Sequence, residues 1–413
     1  MVRTMNRVDT ERSQFMSFII KALIICIALE NVKIVTIAGA ALKPIHFIMI
    51  LASVHCMLFK SIPLKHLGWG AFFLLLPVLP IYRIEDVGEW AKSYVTYVIM
   101  CLFMMTAMRH FIAEFRRNAR RYISLLLNVI AVLEILGIIQ FIAMNLFGYM
   151  LFKDFWGALL FHNSQFGMSG GFYRAYSLFY EPSFFAWVCN TSLAVCLFVG
   201  EEINRQKKLG YILLSLVSVL CSLTTSGLAI ALAIFAVFVL VRSKNPSKII
   251  GSVVAAAVIL VVLISFTDLL SPLKRIFTEI KTPNTSGYER IVTPMLYLKR
   301  TLENYPLFGR GLGQEGNVDA IGIIGMYSTV HNSIFGIVVW FGLSAMFFYI
   351  PALIYCRNRF KENRKWLILF TMIIGIYVSN GAFCSLDLFM FLVLIIAVGC
   401  ACSSPNKNPK GVQ

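Results

Sequence analysis

Apolar runs long enough to cross a bilayer recur from one end of this sequence to the other, and no other feature constrains the fold as strongly. A spanning helix needs about 20 predominantly apolar residues. Backbone polar groups in lipid must be satisfied internally, so only helices and closed barrels cross it. A barrel would show segments of about 10 residues alternating polar and apolar, and these runs do not alternate. The sequence therefore reads as an all-α, polytopic transmembrane helix bundle of about twelve spans: 15–33, 44–59, 67–82, 91–108, 123–147, 182–200, 209–223, 226–241, 249–266, 331–354, 367–382 and 386–402. Composition agrees. Of 413 residues, 59% are hydrophobic and 14% charged, where a soluble domain uses roughly 25% charged residues to cover its surface.

The formal net charge of +17 would suit a nucleic-acid binder, but its distribution does not. The basic residues form no single stripe with interleaved aromatics. They cluster between apolar runs: Arg3 to Arg12, Lys60 to Lys65, Arg109 to Arg121, Arg205 to Lys208, Arg242 to Lys248, Arg357 to Lys365, and Lys407 with Lys410. That is where the positive-inside rule puts cytoplasmic loops. The opposite segment 83–89 carries Glu85, Asp86 and Glu89 against one arginine. The alternation requires an even number of spans, with both termini cytoplasmic. It divides the chain into N-terminal spans (1–147), a first outer loop (148–181), central spans (182–266), a long outer loop (267–330), and C-terminal spans with a tail (331–413). Ala38-Gly39-Ala40 resembles a signal-cleavage site. Glu30 and Lys33 separate it from the apolar stretch, and a second apolar run follows at once, so a retained span is expected. Most of the cysteines lie within apolar runs, where packing is the default reading, and they give neither a disulfide framework nor metal spacing.

Loops as long as 148–181 and 267–330 are uncommon unless functional or disordered. These two mix aromatics, glycines and both charge signs, which predicts folded segments, with a helical piece over Arg290 to Tyr305. They also hold most of the residues able to carry chemistry. Arg174, in Gly171-Phe-Tyr-Arg174, is either an interfacial anchor that snorkels or an anion-binding group, since guanidinium offers phosphate a planar fork of donors. Glu181-Pro182 starts a helix, so Glu181 is either a cap or a working carboxylate. Arg290 follows Ser286-Gly-Tyr288-Glu; a single arginine in so charged a loop is ordinarily solvated. Gly309-Arg310-Gly311-Leu-Gly313 looks like a phosphate loop, but no strand precedes it, and a glycine turn is the plainer reading. His331-Asn332 opens an apolar span: His331 either anchors that helix or serves as a general base. Thr224-Thr-Ser226-Gly227 reads as a tight turn between spans.

In order, these segments resemble the O-antigen polymerase and O-antigen ligase family of bacterial membrane glycosyltransferases. Arg174 to Pro182 looks like the family's arginine followed by an aromatic and Glu-Pro, and Leu223 to Ser226 like its threonine-serine turn. Arg290 followed by Tyr305-Pro306-Leu-Phe-Gly309-Arg-Gly311 looks like its Pro-Leu-x-Gly-x-Gly segment, and His331-Asn332-Ser333 like its His-Asn motif. The likeness covers Gly171 to Leu343; the rest matches in hydropathy. One position departs: the family often has an arginine where this chain has Gly227. The resemblance implies a GT-C-like bundle in the inner membrane, with its site facing the periplasm. It also implies an inverting, metal-independent transfer without a cofactor. The expected substrates are an undecaprenyl-diphosphate-linked oligosaccharide donor and acceptor, and a chain-length regulator is an expected partner. Carried over, Arg174 and Arg290 bind the lipid diphosphate and His331 faces the acceptor hydroxyl. Glu181, Tyr288, Arg310 and Asn332 join them as substrate-binding candidates.

Within that family the loose match favours a polymerase over a ligase that moves the finished glycan onto lipid A core. A lipid-linked oligosaccharide transporter is the reading from another class. It would place ionisable residues at the bilayer midplane, where this chain has mainly Lys21 and Glu134.

Overall fold

The computed structural model describes residues 2–30, 32–37, 39–60, 62–150, 168–169, 171–199, 203–243, 251, 281–282, 285–314, 330–380 and 385–403. The expected all-α class holds. The described helices are α1 (Val2–Ile25), α2 (Pro44–Phe59), α3 (Leu64–Leu75), α4 (Val87–Thr106), α5 (Met108–Arg117), α6 (Ala119–Leu146), α7 (Pro182–Phe198), α8 (Arg205–Ser222) and α9 (Thr225–Arg242). They continue with α10 (Ser286–Asn304), α11 (Ser333–Phe341), α12 (Met346–Glu362), α13 (Trp366–Ser379) and α14 (Leu386–Cys402). Two antiparallel hairpins interrupt the helical order: β1 (Val35–Ile37) pairs with β2 (Ala40–Leu42), and β3 (Met168–Ser169) pairs with β4 (Phe172–Tyr173).

Local chemistry sets the helix starts. Pro44 and Pro182 occupy the first turns of α2 and α7, where a missing N–H costs nothing. Asp86 caps α4 by accepting from the Glu89 amide at 3.0 Å, and Asn204 caps α8 by accepting from Gln206 at 2.9 Å. Helix α7 is buried on nearly all sides and packs along α8, which also packs along α6. A Cβ at Gly137 of α6 would stand 2.2 Å from the Phe185 ring, so glycine there lets α6 and α7 approach closely, as helices in lipid prefer. The opposite face of α6 exposes Val132, Ile135, Ile139 and Ile142. A helix apolar all round, with an unpartnered apolar face, suits a lipid surround.

Four helical stretches are long and apolar enough to cross a bilayer: Leu64–Arg83, Ala119–Leu146, Thr225–Arg242 and Ser333–Glu362. Helices α4 and α5, bent by 57° at their junction, make a fifth as one broken span, and shorter apolar helices flank these. The chain is a membrane protein. Each span read from the sequence coincides with a helix or a broken helix, except 249–266, which lies outside the described residues. So do most of 148–181 and about half of 267–330. The helix foreseen over Arg290 to Tyr305 is α10 and starts slightly earlier.

One span holds as a whole, since Ser333–Glu362 is long and apolar enough to cross a bilayer, but it carries a local interruption. The stretch 331–354 is not continuous. Helix α11 stops at Phe341, Gly342 turns with φ +58°, a 3-10 turn covers Gly342–Ala345, and α12 resumes at Met346. The cause is local. The Arg310 and Gly311 amides donate to Val339 O and Trp340 O at 2.9 and 3.1 Å, while Leu343 and Ser344 amides donate to Pro306 O and Leu307 O at 2.7 and 3.0 Å. The segment 306–311 thus takes the place of the helix's next turn.

Candidate active site

Arg174 follows β4 and is half-buried against the end of α8: its Nε donates to Ser222 O at 3.5 Å, and the next amide, Ala175, donates to Cys221 O at 3.0 Å. That turn is tightly made. Leu223 adopts a left-handed φ of +45°, and the Ser222 and Thr224 hydroxyls lie 3.1 Å apart. The family's arginine has no room at 227, because even a Cβ there would stand 2.3 Å from Thr224 Oγ1 and 2.5 Å from Ala186 Cβ.

Glu181 stands at the N-cap position of α7, but its carboxylate does not cap the backbone. It accepts from the Ser183 hydroxyl at 2.9 Å. Of the two readings of Glu181, the backbone cap is therefore the one the geometry does not favour.

His331 and Arg290 meet through Asn332. The Asn332 side chain is buried; its Oδ1 accepts from the Ile334 and Phe335 amides at 3.1 and 3.2 Å, capping α11. Its Nδ2 donates to Arg290 O at 3.4 Å, tying α11 to the first turn of α10, where Tyr288 also lies half-buried. The Asn332 oxygen is thus engaged by the start of α11. Ser333 adds a second tie, its amide and hydroxyl both donating to Asn380 O at 2.7 and 2.6 Å. His331 itself precedes the helix and is half-buried. Burial holds its imidazole below the ordinary value of 6.5, the Arg290 charge lowers it further, and Glu181 pulls it partly back. These influences favour the neutral imidazole, the form able to accept a proton.

Arg310 sits elsewhere. It is 5% exposed and lines a small cleft with Arg83, Glu85, Tyr305 and Gln314, beside the far end of α11, about 13 Å along the axis from His331. Gln314 closes that cleft, its Oε1 accepting from the Glu85 and Asp86 amides at 3.1 and 3.0 Å and its Nε2 donating to Asp86 O at 2.8 Å. The glycine motif is a docking turn. Gly309 has φ +64°, and a Cβ on it would lie 2.5–2.6 Å from the backbone of Trp340, Phe341 and Gly342.

A cluster that no motif announced completes this end of the bundle. Lys43 Nζ donates to Glu30 at 2.6 Å and to Asp387 at 2.7 Å, joining the end of α1 to the starts of α2 and α14. The charge of Glu181 acts on Glu30 as well as on His331. Each of the three is a lone charge at the edge of an apolar run; only the fold brings them into one place.

A profile of WcaD colanic acid polymerases matches residues 16–401. The chain belongs to the WcaD colanic acid polymerase family. The match spans nearly the whole sequence, including the N-terminal spans that the motifs left uncovered. No solved structure and no curated protein matches the chain. WcaD-family membership makes it a Wzy-type polysaccharide polymerase, an enzyme of glycosyl transfer that joins repeat units and works on lipid-linked oligosaccharides. The ligase and transporter readings are not favoured.

Proposed function

We propose that this WcaD-family enzyme extends polysaccharide at the outer face of the bacterial inner membrane, moving a growing glycan from undecaprenyl diphosphate onto the next lipid-linked repeat unit. The family match along 386 of 413 residues carries this reading. The twelve-span topology with both termini cytoplasmic, supported by the basic clusters, turns the end bearing Arg174, Glu181, Arg290 and His331 toward the periplasm.

In this mechanism Arg174 and Arg290 hold the donor diphosphate. Neutral His331 takes the proton of the acceptor hydroxyl, and that oxygen attacks the donor's anomeric carbon from the side opposite the diphosphate. The carbon–oxygen bond to diphosphate breaks, the configuration inverts, and the leaving group keeps the electron pair. Two fixed guanidiniums near low-dielectric lipid stabilise that charge as it develops, so the step needs no divalent cation. Arg290 beside His331 serves both halves of the reaction: it meets the leaving group and keeps the base unprotonated.

Gene deletion and complementation test the reading. A deletion strain accumulates single lipid-linked repeat units and lacks long polymer, and the wild-type gene restores it. Arg174→Ala, Arg290→Ala and His331→Ala, each present in membranes at wild-type level, do not. Long polymer surviving the deletion would overturn the polymerase reading; normal polymer from all three variants would overturn the site.

A further inference from the structure

We propose that Glu30, held by Lys43 against Asp387, is the subsite for the terminal sugar of the acceptor repeat unit. The proposal rests on the polymerase reading above and concerns residues outside the Arg174–Arg290–His331 set. Two buried carboxylates and one part-buried ammonium converge from three helix ends. As a mere structural pin the group is poorly balanced, since it carries two carboxylates for one ammonium. The Glu30 side chain is 8% exposed, and its Oε2 is buried with no hydrogen-bond partner among the described residues. Leaving a charged acceptor buried and unused is costly, and a ligand hydroxyl would remove that cost. Lys43 has three N–H donors, of which Glu30 and Asp387 take two. Among the described residues the cluster therefore offers an unused acceptor beside an unused donor, which suits a pair of neighbouring sugar hydroxyls.

Electrostatics decides which substrate part belongs there. With both carboxylates ionised the cluster carries net negative charge, and Glu181 acts on it in the same sense. A diphosphate is repelled from such a place. A neutral sugar ring is not. Glu181 also acts on His331, so the cluster lies on the side of the base, where the acceptor hydroxyl must be. The acceptor's terminal sugar is the part of that substrate farthest from its own diphosphate.

Purified wild-type enzyme, given a lipid-linked oligomer as donor and a lipid-linked single repeat unit as acceptor, provides the test. Glu30→Gln keeps the shape and the contact with Lys43 but loses the charged acceptor. The acceptor KM should rise about tenfold, the effect of losing one charge-assisted hydrogen bond, with donor KM and thermal stability unchanged. The soluble repeat-unit oligosaccharide, which has no diphosphate, should compete with acceptor on the wild type and about tenfold less well on Glu30→Gln. An unchanged acceptor KM, with or without a lower melting temperature, overturns the subsite; so does a rise in donor KM alone. If Glu30→Gln does not accumulate, Glu30→Asp, which keeps the charge but withdraws the carboxylate by one methylene, must show the same split, and a normal acceptor KM in it overturns the subsite equally. Wild-type enzyme that extends nothing at all would instead sink the polymerase reading.

Discussion

At one end of the bundle Lys43 lies between Glu30 and Asp387 at 2.6 and 2.7 Å, with side chains only 22%, 8% and 9% exposed. At the other end each pair has one member in water: Arg117, 68% exposed, pairs with the buried Glu114 at 3.2 Å, and Arg359, 24% exposed, meets Glu362, 49% exposed, at 2.6 Å. Both ends are rich in charge, but the physical settings differ. Exposed pairs in water gain little and move freely. Buried charges are held by their surroundings and keep their field at short range. Positive charge alone therefore does not mark the working end of this enzyme. At the proposed site the charge is instead of both signs, largely buried and tied to helix termini.

The sharpest way to break this contrast is to remove one charge from each end. Alanine at Arg290 or Arg174 should lower turnover about 10²–10³-fold, the usual effect of deleting a group that stabilises a developing anion. His331→Ala should cost about 10²–10⁴-fold as loss of a general base. Arg117→Ala and Arg359→Ala should leave turnover within about twofold. Radiolabelled repeat-unit extension by purified protein measures all five. Equal losses at both ends would mean that charge near the membrane matters everywhere and that the site has been misplaced.

The next effect concerns stability and not turnover. Gly309→Ala puts a methyl group 2.5 Å from the Trp340 carbonyl carbon at a φ of +64°. Strained backbone of this kind costs about 1–3 kcal/mol before the clash is counted. The docking of 306–311 on α11 should loosen, with thermal inactivation several degrees lower and less protein in the membrane. A Gly309→Ala enzyme as stable as wild type would show that this turn is not what ends α11.

These two regions also differ in how far they could be read in advance. Helices and their order follow from hydropathy, because lipid admits few alternatives, and the helix at Ser286–Asn304 is visible in its apolar spacing. The break at Gly342 is not. Residues 331–354 are apolar throughout, and what divides them is a set of backbone hydrogen bonds from residues 306–311. Arg174, Arg290 and His331 were legible as motif residues, and the fold does bring Arg290 to His331. Arg310 shares their motif but lies at the opposite end of α11, because the glycines dock its turn against Trp340 to Gly342. Glu30, Lys43 and Asp387 stand 13 and 344 residues apart along the chain, so no local pattern could join them.

The pH dependence sharpens the comparison with smaller effects. His331 must be neutral to accept a proton, so kcat/KM falls on acidification as the imidazole protonates. Its value lies below 6.5, and Arg290 contributes to that lowering. Arg290→Gln, though slow, should therefore move the acidic limb to higher pH. Glu181 acts in the opposite sense, so Glu181→Gln should move the limb to lower pH. Opposite displacements identify His331 as the titrating base; displacement of both in one direction would assign the limb to another group.

The smallest expected effect lies at the basic end. Arg359→Ala removes an ion pair whose partner is half exposed, and such pairs contribute about 0–1 kcal/mol. Its melting temperature should change little, and high salt should erase the difference, since screening reaches exposed charges first. The same titration with salt should barely alter a Lys43→Met variant, where both carboxylates lose a buried partner and the deficit is one of desolvation. Salt-sensitive loss at Lys43 and salt-insensitive loss at Arg359 would reverse the assignment of the two ends.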